Sequence, residues 1–281
     1  MDERGLGKRL QEARQKAGLT QQQLCQRANL SFSTLTKIER GAIKSPSIFT
    51  IQAIAGAVGR SLDELVGNSP ARPARNLRKT KSGASFIYFD MNGCLVHFFQ
   101  AAFTKMSADT GVPADRIEAA FWHYNDAACR GELSMDDFNA ALAKKIGVES
   151  LKWQDYYLAA TEPVKEMHEV VRWAAQHYKV GLLTNAAQGL VNAMRASGQI
   201  PNIEYDAIID SSEVGVIKPE AKIYEIAAER AGCPPEEIML IDDSRTNLMA
   251  ADRMGWHVMW FDDAQPEKSA AATRQALEPA I

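Results

Sequence analysis

The 281-residue sequence has little cysteine, and what it has is scattered. Cys25, Cys94, Cys129 and Cys233 form no Cys-x-x-Cys pair, which argues against a structural zinc site and a disulfide framework and fits a reducing cytoplasm. Long apolar runs are missing as well. The most apolar stretch, Ile48 to Val58, carries Thr50 and Gln52 and falls short of the roughly 20 residues that span a bilayer, so no membrane segment is expected. No apolar segment follows the opening Met1-Asp2-Glu3-Arg4, so no signal peptide is expected either. Acidic residues are scarce at one end only. Residues 1–84 hold fifteen Lys/Arg against six Asp/Glu, a net of +9. Residues 85–281 hold seventeen against twenty-nine, a net of −12, and the two make up the −3 of the whole chain. A basic head on an acidic body points to a polyanion-binding module joined to a unit of different function.

What is present is the composition of a soluble globular protein, 46% hydrophobic and 24% charged, in a chain long enough for two domains. Residues 5–67 read as short amphipathic helices. Residues 68–85 contain two prolines, five Lys/Arg and almost no large apolar side chain, which predicts a basic linker. From Phe86 the pattern alternates. Apolar runs at Phe86–Phe89, Val180–Leu183, Ala207–Ile209, Ile238–Ile241 and His257–Phe261 predict strands, with helices between them at Glu162–His177, Leu190–Ser197, Glu220–Ala231 and Arg245–Met254. Such alternation predicts a parallel, doubly wound sheet over 86–263. A helical block at about 96–161 interrupts it as an inserted cap, and the polar tail 264–281 is expected to be poorly ordered. The expected fold class is an all-α head plus an α/β Rossmann-like domain with a parallel sheet and an inserted helical cap.

In the head, Thr20 is placed to cap a helix that turns Leu24 and Ala28 inward, and Asn29 can take the left-handed conformation that ends it. Ser31 caps the next helix, with Leu35 and Ile38 inward and Ser33, Thr34, Thr36 and Lys37 outward, and Gly41 stops it. Ser47 opens a fourth helix with Ile51, Ile54, Ala55 and Val58 inward, and Ser61 a fifth. The words Leu-Thr-Gln at 19–21, Ser-x-Ser-Thr-Leu at 31–35, Ile-Glu-Arg-Gly at 38–41 and Ser-Leu-Asp-Glu-Leu at 61–65 resemble the Cro/cI-repressor-like (XRE-type) helix-turn-helix family. The resemblance implies double-stranded DNA as partner, through a dimer on a palindromic operator. Ser31 to Arg40 would be the recognition helix, Ser33, Thr34 and Lys37 would face base edges, and Gln21 and Gln22 would touch phosphate.

In the body, four segments end strands or precede helices with chemistry-bearing side chains: Asp90 after Phe86–Phe89, Thr184-Asn185, Lys218 in Gly215-Val-Ile-Lys-Pro-Glu, and Asp242-Asp243. Strand C-termini of an open parallel sheet share one edge, so these residues can meet in one crevice. A carboxylate nucleophile, hydroxyl and amide donors, one lysine and an acidic cation site suit phosphoryl transfer. The order and spacing resemble the four motifs of the haloacid dehalogenase-like superfamily, and VG-x-x-KPE and IDD-x-x-x-N look like its branch of small sugar-phosphate phosphatases and epoxide-hydrolase phosphatase domains. That resemblance implies Asp90 as nucleophile, Thr184 and Asn185 on phosphoryl oxygens, and Lys218 neutralising charge. Mg²⁺ would sit on Asp90, the backbone carbonyl of Asn92, and Asp243 with Asp242.

One position departs from the pattern. Hydrolytic members carry a second aspartate two residues after the nucleophile as general acid and base, and here it is Asn92. A carboxamide cannot donate a full proton at neutral pH, and that help is typically worth about 10²–10⁴-fold. The expected function is a transcriptional regulator whose body senses a phosphorylated small molecule with Mg²⁺; the alternative is an active Mg²⁺-dependent phosphatase with a DNA-binding head. A body serving only as a dimerisation scaffold would not need Asp90, Thr184, Lys218 and Asp243. The cap aromatics Phe121, Trp122, Tyr124, Trp153, Tyr156 and Tyr157 would either line the pocket or form the cap's own core. His123 has no partner at ligand spacing. Cys94, beside the nucleophile loop, is either redox-sensitive or an inert small apolar residue.

Overall fold

A computed structural model of the chain describes residues 3–43, 45–60, 62, 65, 75 and 77–278. It divides into two compact units, residues 1–74 and 75–281.

The first unit contains α1 (Glu3–Lys16), α2 (Gln21–Arg27), α3 (Phe32–Glu39) and α4 (Ile48–Ala57). Its helix ends are set by local chemistry. Thr20 and Gln23 form a reciprocal capping box at the start of α2, and Asn29 takes a positive φ of 51° in the turn. Ser31 and Ser47 accept the Thr34 and Thr50 N–H groups to cap α3 and α4. Leu10, Leu24, Leu35, Ile38 and Ile54 form the core. Gly7 lets α1 cross α3 closely, since a Cβ there would lie 2.4 Å from the Ile38 carbonyl oxygen. Buried in the same crossing, the Arg14 guanidinium pairs with Glu39 at 2.7 Å, and the Gln21 amide donates to the same carboxylate at 2.7 Å. Most of the fifth helix expected from Ser61 lies outside the described residues, although Leu62 and Leu65 pack on this core.

The second unit is built on five strands: β1 (Phe86–Phe89), β2 (Lys179–Thr184), β3 (Ala207–Asp210), β4 (Ile238–Asp242) and β5 (His257–Trp260). All pair in parallel in the order β3-β2-β1-β4-β5. β1 and β4 are buried at every position, which is why they read as continuous apolar runs rather than alternating ones. Four helices occupy the insertion after β1: α5 (Gln100–Thr110), α6 (Ala114–Cys129), α7 (Met135–Ile146) and α8 (Trp153–Ala160). The sheet is then covered by α9 (Lys165–His177), α10 (Leu190–Ala196), the short α11 (Ser211–Val214), α12 (Ala221–Ala231) and α13 (Arg245–Arg253).

Two expectations need correction. The segment after Asp263 is ordered: α14 (Pro266–Ala276) packs on α9 with Ala270, Thr273 and Leu277 buried. Tyr178 donates to the Leu277 carbonyl, and the Arg274 guanidinium lies 3.3 Å from the Trp173 ring centroid. Small and polar residues gave this helix a solvated look because its buried stripe is Ala, Thr and Ser rather than Leu. Likewise the described part of 75–85 is tied to the body. Arg75 binds Asp206 and the carbonyls of Ala175 and Tyr178, and Lys79 pairs with Glu237 at 2.5 Å. These two basic side chains are paired, and the rest of the expected linker at 68–74 and 76 lies outside the described residues.

Candidate functional site

In the first unit, α3 buries Leu35, Ile38 and Glu39 and exposes Ser33 and Lys37, so the face expected to read bases is the solvent face. Ser31, Ser33 and Thr34 form a hydroxyl cluster at its N-terminus, with Ser31 Oγ 2.7 Å from Thr34 Oγ1 and 3.1 Å from Ser33 Oγ. Gln22 is exposed at the start of α2. Gln21 is half-buried, and its side chain is bound to Glu39 within the fold. Sequence reasoning passed over Phe32, which is exposed at the first position of α3 between these hydroxyls.

In the second unit, the C-terminal edge of the sheet brings the four expected segments together. The Lys218 ammonium lies 2.8 Å from Asp90 and 2.6 Å from Asp242, and all three are buried. Asp90, Asp242 and Asp243 each offer an oxygen within 4.8 Å of the others. Asp242 is otherwise committed, accepting from the Ser244 N–H and the Asn247 amide as well as Lys218. Asp243 packs directly against Gly93, where a Cβ would come within 2.3 Å of its carboxylate; Gly93 also has a positive φ of 79°. Side chains are thus excluded twice over from the turn beneath the carboxylates. Asn185 does not stand free. Its carboxamide donates to the Lys218 carbonyl and accepts the Lys218 N–H, which holds the loop that presents the ammonium. Thr184 Oγ1 is buried and has no hydrogen-bond partner among the described residues.

Three carboxylates against one lysine leave an excess of negative charge in a buried place. Burial, then the Lys218 pull and the Asp242 push, leaves the Asp90 carboxyl above its ordinary range. Asp243 is raised by burial and by Asp90 and Asp242. For Lys218, burial alone would favour the neutral amine, but Asp242 and Asp90 overcome it and hold the ammonium well above its ordinary range.

The cap closes over this edge. A cavity of about 30 Å³ lies between them, lined by Phe99, Phe121, Trp153 and Tyr157 on the cap side and by Asn92 and Asn185 on the sheet side. Phe121, Trp153 and Tyr157 therefore belong both to the cap's core and to the cavity wall. Trp122 and His123 point outward. Tyr157 donates its hydroxyl to the Asn92 carboxamide oxygen, a contact between residues 65 apart that no local spacing could reveal. Arg130 pairs with Glu220 at 2.5 Å, and a Cβ at Gly131 would sit 2.4 Å from the Ser212 carbonyl oxygen, so cap and sheet domain meet in backbone contact. Cys94 is fully buried and its thiol is pushed up by burial and by Asp90, the setting of an inert thiol.

A buried carboxylate, a lysine and an acidic pair at the C-terminal edge of a parallel sheet define a hydrolase-type α/β domain, here preceded by a helix-turn-helix DNA-binding unit. The chain belongs to the haloacid dehalogenase-like hydrolase family, which it matches over residues 86–255, and residues 10–65 match the helix-turn-helix family. The head is similar to an immunity repressor protein of Bacillus phage phi105, 44% identical over 62 residues that make up 22% of this chain and 42% of that protein. The body is similar to an (S)-2-haloacid dehalogenase of Pseudomonas putida, 26% identical over 108 residues, 38% of this chain and 47% of the relative. A haloacid dehalogenase family enzyme of Bacteroides thetaiotaomicron, solved as a magnesium complex, superposes with a TM-score of 0.55 at 17% identity, covering 66% of this chain and 93% of that one. The chain spans less than half the length of these two curated relatives. No helix among the described residues is long and apolar enough to cross a membrane.

Proposed function

We propose that the chain is a cytoplasmic, sequence-specific transcriptional regulator, dimeric on a palindromic operator, whose body binds Mg²⁺ and a phosphorylated metabolite as its signal. The observation that carries this reading is a charged phosphoryl-type centre with Asn92 in place of a proton-transfer carboxylate, in the same chain as a helix-turn-helix. A site that binds well and turns over poorly suits a sensor better than a catalyst.

The residues fit a hard divalent cation. The donor set is all oxygen, the excess negative charge of Asp90 and Asp243 is what a cation relieves, and the unpartnered Thr184 hydroxyl is free for a phosphoryl oxygen. Asp90, Asp243 and the backbone carbonyl of Asn92 would hold Mg²⁺, with Asp242 set back to position Lys218. Bound there, Mg²⁺ would offset the repulsion between the Asp90 carboxylate and an incoming phosphoryl group. Lys218 orients Asp90 and spreads its charge, Thr184 donates to the phosphoryl group, and Asn185 fixes the Lys218 loop. Ser33, Thr34 and Lys37 would read base edges, while Gln22 and the N-terminus of α2 would meet phosphate.

The test is thermal unfolding and operator binding of the full chain with a panel of phosphorylated metabolites, with and without Mg²⁺. A ligand at a hundred times its Kd should stabilise by about 2.7 kcal/mol. Stabilisation that requires Mg²⁺ and changes operator affinity is the expected result. Steady turnover at ordinary enzymatic rates, about 1–10³ s⁻¹, without effect on DNA would favour the phosphatase.

A further inference from the structure

We propose that Asp90 takes its phosphoryl group from small acyl phosphates and retains it, so that the signal stored in the body is a long-lived aspartyl phosphate. This inference rests on the reading of the body as a Mg²⁺-dependent phosphoryl site and names its donor class.

The leaving-group side of the centre carries the inference. Asn92 stands where a proton donor is needed, and its carboxamide oxygen is already taken by the Tyr157 hydroxyl. Only its N–H groups remain for a ligand. Among the described residues, no carboxylate, imidazole or ammonium group lines the cavity beside it. The thiol of Cys129 and the phenol of Tyr157, which do line it, are buried and point their protons elsewhere, at the side-chain oxygens of Asn125 and Asn92. A group departing into this cavity must therefore leave with its electron pair and without a proton. The alkoxide of a sugar phosphate is too basic for that. A carboxylate, whose acid has a pKa of about 4, leaves readily.

The lining points the same way. Phe99, Phe121, Phe138 and Trp153 make the cavity wall largely apolar, which suits a short acyl chain better than a hydroxyl-rich sugar. In the transfer, an Asp90 carboxylate oxygen forms a bond to phosphorus while the bond from phosphorus to the acyl oxygen breaks. The electron pair stays on the acyl oxygen, which departs as a carboxylate, and no proton moves. Hydrolysis of the product is different. Attacking water must lose a proton, Asn92 cannot accept one, Asp242 is held by Lys218, Ser244 and Asn247, and Asp243 would be committed to Mg²⁺. The aspartyl phosphate outlasts the donor.

The full chain is incubated with Mg²⁺ and acetyl phosphate or glycerol 3-phosphate and followed by intact mass, with beryllofluoride plus Mg²⁺ as a non-covalent control read by thermal unfolding. The expected result is one phosphoryl increment with acetyl phosphate, none with glycerol 3-phosphate, and loss of the increment in Asp90→Asn. Asn92→Asp should shorten the adduct lifetime by about 10²-fold or more, the usual worth of acid–base help. The wild-type arms decide the question even if that variant fails to fold. Stabilisation by beryllofluoride without an acetyl phosphate adduct, or with one that hydrolyses within seconds, overturns this inference and leaves the phosphoryl site standing. No stabilisation and no adduct overturns both.

Discussion

Tyr157, on the fourth helix of the cap, donates its phenolic hydroxyl to the carboxamide of Asn92 in the loop that follows Asp90. Tyr157 is almost fully buried and Asn92 half-buried. The bond ties the lid of the site to the position where the proton-transfer residue would stand. It gives Asn92 a structural role in the closed cap that a carboxylate there could fill only by accepting the same hydroxyl.

Tyr157→Phe should therefore loosen the cap without emptying the core. The ring remains among Phe99 and Trp153, and only the hydroxyl is lost. Losing a hydrogen bond to a half-buried acceptor costs about 0.5–1.5 kcal/mol. For a domain of this size each kcal/mol is worth roughly 2–4 °C in Tm. A calorimetric drop of a few degrees in the body's transition checks the contact; an unchanged Tm would show that the hydroxyl has an equally good partner in water.

A second expectation concerns pH. Burial raises Asp210 to about 6, and burial with neighbouring carboxylates raises Asp243 to about 7, from an ordinary 3.8. For acids raised on folding, the folded state binds protons more tightly than the unfolded chain, so stability is present below pH 3.8 and lost as pH rises through 6 to 7. Without divalent metal the body should become more stable on acidification from pH 8 to pH 5. Saturating Mg²⁺ competes with those protons, so its stabilising increment should be largest at pH 8 and shrink below pH 7. Thermal unfolding in EDTA and in Mg²⁺ at each pH measures both slopes. A Tm increment from Mg²⁺ that is the same at pH 5 and pH 8 would rule out a carboxylate cation site.

Much of this was legible in the sequence, and the rest was hidden for physical reasons. Strands such as Phe86–Phe89 and Ile238–Ile241 announce themselves because a strand buried on both faces has no polar alternation to blur it. Capping residues Thr20, Ser31 and Ser47 work locally and were readable at their own positions. Asp90, Lys218 and the Asp242-Asp243 pair were placed by the rule that parallel strands share an edge. The division of labour within that pair was not readable, because it depends on Asn247 and Ser244 occupying Asp242. Nor was the partnership of Asn185 with the Lys218 backbone, or of Tyr157 with Asn92, since both join distant segments. The last helix was missed because Ala270 and Thr273 bury a stripe that composition counts as polar or neutral.

Removing residues 264–281 tests that last helix directly. Leu277 is fully buried, Ala270 nearly so, and Tyr178 would lose its acceptor. A buried leucine alone is worth about 1.5–3 kcal/mol, and the orphaned Tyr178 hydroxyl adds roughly another 1–3. The truncated chain should show a clearly lower urea midpoint for the body than the full chain. Equal midpoints would mean that α14 adds nothing to the fold.

The most discriminating comparison lies within α3, between two residues one apart in sequence spacing from Ile38. Lys37 is exposed and Glu39 is buried, where it joins Arg14 of α1 and Gln21 of α2. Lys37→Ala removes an exposed cation, and surface changes of this kind usually move stability by less than about 0.5 kcal/mol. If Lys37 reads a base, the same change costs about 1–3 kcal/mol of operator binding and relaxes specificity. Glu39→Ala strands the Arg14 guanidinium in the core, and breaking a buried pair from one side costs roughly 3–5 kcal/mol. That is enough to unfold a small helical head, so DNA binding should vanish together with the head's thermal transition. Lys37→Ala should instead lose binding while keeping that transition. Footprinting alongside far-ultraviolet circular dichroism of both variants separates the cases. A Lys37→Ala chain with unchanged affinity and sequence preference would remove this face of α3 from the DNA interface.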